Sequence, residues 1–170
     1  MRISAFALAL FAIPAASYAD DYKLGDLVIE RIVARETPKS AMTGAGYLKI
    51  MNMGVTADRL MAVEAAYPRV EIHDVKVEND IASMFRIEGV EIGPSESITL
   101  QPGQKHVMFM GLDGDPFEAG EEIPATLVFE TAGSIEVVFE VKSADDLVEA
   151  LGIEGGHAGH GSDDESHNHN

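Results

Sequence analysis

Apolar positions along most of this chain recur in short alternating runs, not at helical spacing. Leu27 to Val33, Tyr47 to Met51, Leu60 to Val63, Val70 to His73, Met84 to Ile87, Ser97 to Leu100, His106 to Met110, Thr126 to Phe129 and Ile135 to Val141 each read as a β-strand. Turn residues separate them, as at Gly93-Pro94, Pro102-Gly103, Gly111 to Pro116 and Ala132-Gly133. The last run is the clearest. Ile135, Val137, Phe139 and Val141 share one face at period two while Glu136 and Glu140 take the other, the pattern of a half-buried strand and of the last one in the sheet. In the run ending at His73 the alternation breaks at Asp74, which predicts a bulge or a strand end there. Many short strands at this spacing predict an all-β domain, an antiparallel β-sandwich.

The flanks differ from this core. Met1-Arg2, an apolar stretch from Ile3 to Ala16 and the small-x-small triplet Ser17-Tyr18-Ala19 match a secretory signal peptide over residues 1–19. Ser143 to Leu151 has a helix cap, acidic residues in its first turn and a stripe of Leu147, Val148 and Leu151 ending at Gly152, so a short C-terminal helix closes a domain spanning residues 20–152. Residues 153–170 combine Gly, acidic side chains and His with nothing to bury, the composition of a disordered tail.

Composition narrows the chemistry. Export would allow disulfides, but the chain has no cysteine, so packing alone must hold the domain together. The same absence excludes thiolate sites: blue-copper centres, redox pairs and the common structural zinc sites. A formal net charge of −17 makes nucleic acid an improbable partner and favours cations or basic protein surfaces. Beyond the signal, no segment is apolar for the roughly 20 residues that a membrane-spanning helix needs.

Of six histidines, His73 and His106 fall within the strands and the other four in the tail. Taken singly, each strand His or Met is an ordinary strand residue. In His106-Val107-Met108-Phe109-Met110, however, period two puts His106, Met108 and Met110 on one face and Val107 with Phe109 on the apolar one. Residues two apart on a strand are separated by about 6.6 Å, so both side chains of a His-x-Met pair can lean onto one ion. His73 likewise has parity opposite to Val70 and Ile72. Thioether sulfur is soft and selects Cu(I), imidazole serves either copper oxidation state, and zinc rarely accepts a thioether. Met51 and Met53 share a face by parity, which core packing explains equally well.

The spacing of His73, ten residues, Met84, twenty-one residues, His106, one residue and Met108 resembles the H-x10-M-x21-H-x-M signature of the PCuAC family of periplasmic copper chaperones. The resemblance runs from about Leu27 to Val141 and includes Gly44-Ala45-Gly46-Tyr47-Leu48 and Leu100-Gln101-Pro102-Gly103. It implies a cupredoxin-like, Greek-key sandwich in the periplasm with an exposed Cu(I) site formed by His73, Met84, His106 and Met108. It also implies delivery to apo-copper proteins, such as the binuclear copper site of a cytochrome c oxidase subunit or the factors that assemble it. Asp74-Val75-Lys76 lacks the methionine that relatives often carry near the first His, and the His-rich tail is absent from many of them. In that tail His157, His160, His167 and His169 stand among Asp163, Asp164 and Glu165, a donor set suited to Cu(II). No nucleophile elbow or His-brace terminus points to an enzyme. Copper buffering or storage in the envelope is the alternative to delivery.

Overall fold

A computed structural model describes residues 21–153; the expected signal peptide and the tail histidines lie outside this range. The chain forms β1 (Tyr22–Leu24), β2 (Leu27–Arg35), β3 (Thr43–Asn52), β4 (Asp58–Ala65), β5 (Arg69–Glu78), β6 (Ile81–Ile87), β7 (Val90–Ile92), β8 (Ser97–Leu100), β9 (His106–Met110), β10 (Glu122–Phe129), β11 (Ser134–Lys142) and α1 (Ala144–Leu151). Hydrogen-bonded neighbours follow the order β6-β5-β9-β3-β2-β11-β10-β4-β7, with β1 added to β2 and β8 to β3. Pairing is antiparallel except between β2 and β11, which run parallel. β11, last in sequence, is therefore interior in space.

β2 and β3 carry the change of partners. β2 is irregular between Glu30 and Val33, where Arg31 takes a left-handed backbone with φ 56°. β3 pairs through Thr43–Gly46 with β9 and through Leu48–Met51 with β8. The inward faces of all these strands bury Ile29, Leu48, Ile50, Leu60, Ile92, Leu100, Leu127 and Phe139 completely. Removing one such side chain costs about 2–5 kcal/mol.

The backing of β9 explains the Gly-Ala-Gly segment. Phe109 meets Tyr67, Phe117 and Phe139 edge-on, with ring centres 5.4–5.5 Å apart. Gly44 and Gly46 let these rings lie directly on the β3 backbone: a Cβ on Gly44 would come within 2.3 Å of Phe117, and one on Gly46 within 2.8 Å of Phe109.

α1 begins as its sequence predicts. Ser143 accepts the Asp146 N–H, Asp145 and Asp146 occupy the first turn, and Gly152 closes the helix with φ 62°. Leu147 and Leu151 bury against Val33 and Tyr47, which fixes the helix against one wall of the cavity described next.

Candidate metal centre

The two strand histidines meet through register. β5 and β9 pair with Arg69 opposite Met110, Glu71 opposite Met108, Ile72 opposite Val107 and His73 opposite His106. Val107 and Phe109 are 0% exposed on the core side, so period two turns His106, Met108 and Met110 the other way. β6 returns along β5 through Asn79-Asp80, both left-handed (φ 51° and 62°), as a two-residue primed turn requires and as Asn and Asp tolerate. Its register sets Met84 opposite Val75, diagonal to His73 and on the same face. His73, Met84, His106 and Met108 thus share one face of three adjacent strands. β5 continues without interruption to Glu78, so the bulge expected at Asp74 is absent: Asp74 pairs with Phe85 in regular register.

The imidazole rings of His73 and His106 have centres 6.0 Å apart and are tilted by 50°. Two imidazoles bound to one ion at about 2.0 Å per nitrogen have ring centres roughly 6 Å apart when nearly in line, so this separation leaves room for one ion. A cavity of about 500 Å³ is lined by Met84, His106 and Met108 together with Tyr47, Val75 and Arg35. His73 stands outside that lining. A cleft of about 640 Å³ beside Arg59 and Lys105 has neither imidazole nor thioether in its walls.

Exposure is uneven, which corrects the expectation of an exposed site. His106 is 5% exposed and the His73 side chain 13%, whereas Met84, on the outermost strand, is 62% exposed. Elsewhere, Asp58 accepts the Thr131 and Ala132 N–H groups and Asn52 donates to Thr56 and Ile92 carbonyls, whereas Arg59 Nε is buried without a hydrogen-bond partner. His73 Nδ1 is likewise buried without a hydrogen-bond partner, and unlike a guanidinium nitrogen it can offer a lone pair to a metal. Its Nε2 lies 2.8 Å from Glu71 Oε2, and His106 Nδ1 lies 2.8 Å from the Gln104 carbonyl oxygen. An imidazole nitrogen buried without a partner is a candidate metal donor.

Nearby oxygen donors are already engaged. The His73 hydrogen bond holds the Glu71 carboxyl below the usual carboxylate range; burial opposes this, and Arg69 and Arg86 reinforce it. Burial pushes Asp74 up, but the Lys105 ammonium at 3.0 Å and the Val75 N–H overcome it, leaving that carboxyl lowered too. Among the described residues no group of three or more His, Asp or Glu side chains is arranged to hold a metal. The donors left over are imidazole nitrogen and thioether sulfur, the set that suits Cu(I). Met110, on the same face, is occupied: Arg69 Nε donates to its sulfur at 3.0 Å. Met51 lies at the far end of β3, opposite Ser97, roughly 20 Å along the strand from Ala45 and the site.

A β-sandwich with these donors on one sheet defines the class: the fold is that of PCuAC domains. The copper-bound PCuAC domain from PmoF2 superposes with a TM-score of 0.62 at 24% identity, covering 73% of this chain and 98% of that domain. The apo PCuAC domain from PmoF1 gives 0.62 at 28% identity, covering 73% and 99%. The chain belongs to the LpqE-like family, whose profile matches residues 27–141. It is 33% identical over 105 residues to "Putative lipoprotein Lxx21020" of Leifsonia xyli subsp. xyli; the match spans 61% of this chain and 62% of that relative.

Proposed function

We propose that this protein is an exported, periplasmic copper chaperone. It binds one Cu(I) through His73, Met84, His106 and Met108 and passes it to apo-copper proteins, the binuclear copper site of cytochrome c oxidase or its assembly factors among them. The observation that carries this reading is the cross-strand His73–His106 pair with an unpartnered buried nitrogen, flanked on the same face by two thioethers. The likeness to PCuAC domains supports it.

The donor chemistry favours transfer over catalysis. All four ligands are neutral, so the bound ion keeps its charge of +1, and a target's thiolates bind Cu(I) more strongly than thioethers do. Hand-over is then downhill and needs no turnover chemistry. Anaerobic Cu(I) titration against a competing chelator tests the core site: wild type takes one tight equivalent, and the H106A/M108A double variant loses it. Equal binding by both proteins ends the proposal. Loss of oxidase activity in a deletion strain only when copper is scarce would speak for delivery, and sensitivity only in excess copper for storage.

His157, His160, His167 and His169, outside the described residues, form a second, Cu(II)-capturing segment in this proposal. A chain ending at Gly152 is expected to bind fewer Cu(II) equivalents with Cu(I) binding unchanged; an unchanged Cu(II) stoichiometry removes the role of the tail.

A further inference from the structure

Glu71 precedes His73 by two residues on the same face of β5 and sits opposite Met108 on β9. One carboxylate oxygen, Oε2, faces His73 Nε2 at 2.8 Å, while Oε1 lies 3.7 Å from Arg69 Nε and 3.9 Å from Arg86 Nη1. Guanidinium groups from β5 and β6 thus flank the carboxylate from outside and His73 caps it from inside. An ionised carboxylate only accepts hydrogen bonds, so the single proton of a neutral His73 ring belongs on Nε2. The lone pair is left on Nδ1, the buried nitrogen that has no partner.

His106 has the opposite arrangement. The Gln104 carbonyl oxygen beside its Nδ1 also only accepts, so Nδ1 carries the proton and Nε2 the lone pair. We propose that Glu71 is a positioning residue which fixes the tautomer of His73, so that copper is bound by Nδ1 of His73 and Nε2 of His106. The ligand assignment rests on the copper reading above; the tautomer assignment stands without it. Two histidines bound through different ring atoms explain how side chains projecting in parallel from directly paired strands can address one ion. Carboxylates beside metal-binding histidines act in this way, and removing them typically lowers metal affinity about 10–100-fold.

Long-range ¹H–¹⁵N spectra of the imidazoles test the proposal on the whole protein. In the metal-free wild type, His73 is expected to show a protonated Nε2 and a bare Nδ1, and His106 the reverse. Anaerobic addition of Cu(I) then shifts Nδ1 of His73 and Nε2 of His106. The Glu71→Ala variant loses the fixed His73 tautomer and binds Cu(I) about 10–100-fold more weakly, while Glu71→Gln, which keeps an acceptor oxygen, recovers most of both. A wild-type His73 protonated on Nδ1, or a Cu(I) shift on its Nε2, overturns the assignment even if the alanine variant fails to fold. Wild-type protein that binds no Cu(I) sinks the copper reading and with it the ligand assignment, whereas the metal-free spectrum alone decides the role of Glu71 in the tautomer.

Discussion

Met84 separates ligand chemistry from folding better than any other donor at the site. It is 62% exposed on the outermost strand, and leucine matches its volume closely enough that such swaps cost less than about 1.5 kcal/mol even in cores. At so open a position, Met84→Leu should change the stability of the metal-free protein by no more than about 0.5 kcal/mol, a shift in Tm of roughly 1–3 °C. Cu(I) affinity should behave differently, because leucine offers no donor. Losing one of four ligands should cost at least as much as losing an outer-shell partner, about tenfold or 1.4 kcal/mol. Chelator competition under anaerobic conditions reads the affinity, and thermal melts with and without Cu(I) read the stability. Copper should raise the Tm of the wild type more than that of the variant, since a ligand bound only to the folded state stabilises it according to its affinity. An unchanged affinity removes Met84 from the ligand set. A metal-free Tm lowered by much more than expected would mean that Met84 packs instead of binding.

Two further outcomes follow from the geometry. Gly44→Ala puts a methyl group 2.3 Å from the Phe117 ring and should destabilise the domain by about 1–3 kcal/mol in urea unfolding; a neutral result would mean that the aromatic cluster behind β9 is loosely packed. Because Glu71 has a lowered folded-state pKa, its contribution to stability is complete above the ordinary carboxylate range and disappears as pH falls through the lowered value. Glu71→Gln should therefore lower the Tm at neutral pH and converge with wild type at the acid end, which flattens the acid limb of a Tm-against-pH profile, and a limb as steep as that of wild type would contradict the pairing.

The strand at the centre of the site was legible in the sequence, and what joins it to its partners was not. β9 spans His106–Met110 as expected, with Val107 and Phe109 wholly buried, because a strand against a core writes burial into alternate residues. Helix α1 was legible for the same reason, through its cap and stripe. The outer end of β5 escaped: Lys76, Val77 and Glu78 are all exposed, so cross-strand hydrogen bonds alone hold that segment and no hydrophobic pattern records it. β1 and β7, three residues each, are too short to establish a period. Neither the parallel β2–β11 pairing nor the pairing of His73 with His106 is a local property, and spacing could only hint at the latter through a family resemblance. Glu71 was missed although its parity with His73 is visible, because a carboxylate two residues from an imidazole is common and gains meaning only when the far nitrogen is buried.

The steep gradient in exposure across the face, from Met84 on the rim to His106 beneath it, also bears on kinetics. If copper binds as proposed, the rim contact is the one most open to replacement, so an incoming acceptor would attack there first and the less exposed imidazoles would let go last. Release to solvent would be slow while release to an acceptor speeds up with acceptor concentration, making the half-life of the cargo a property of the encounter and not of the carrier alone.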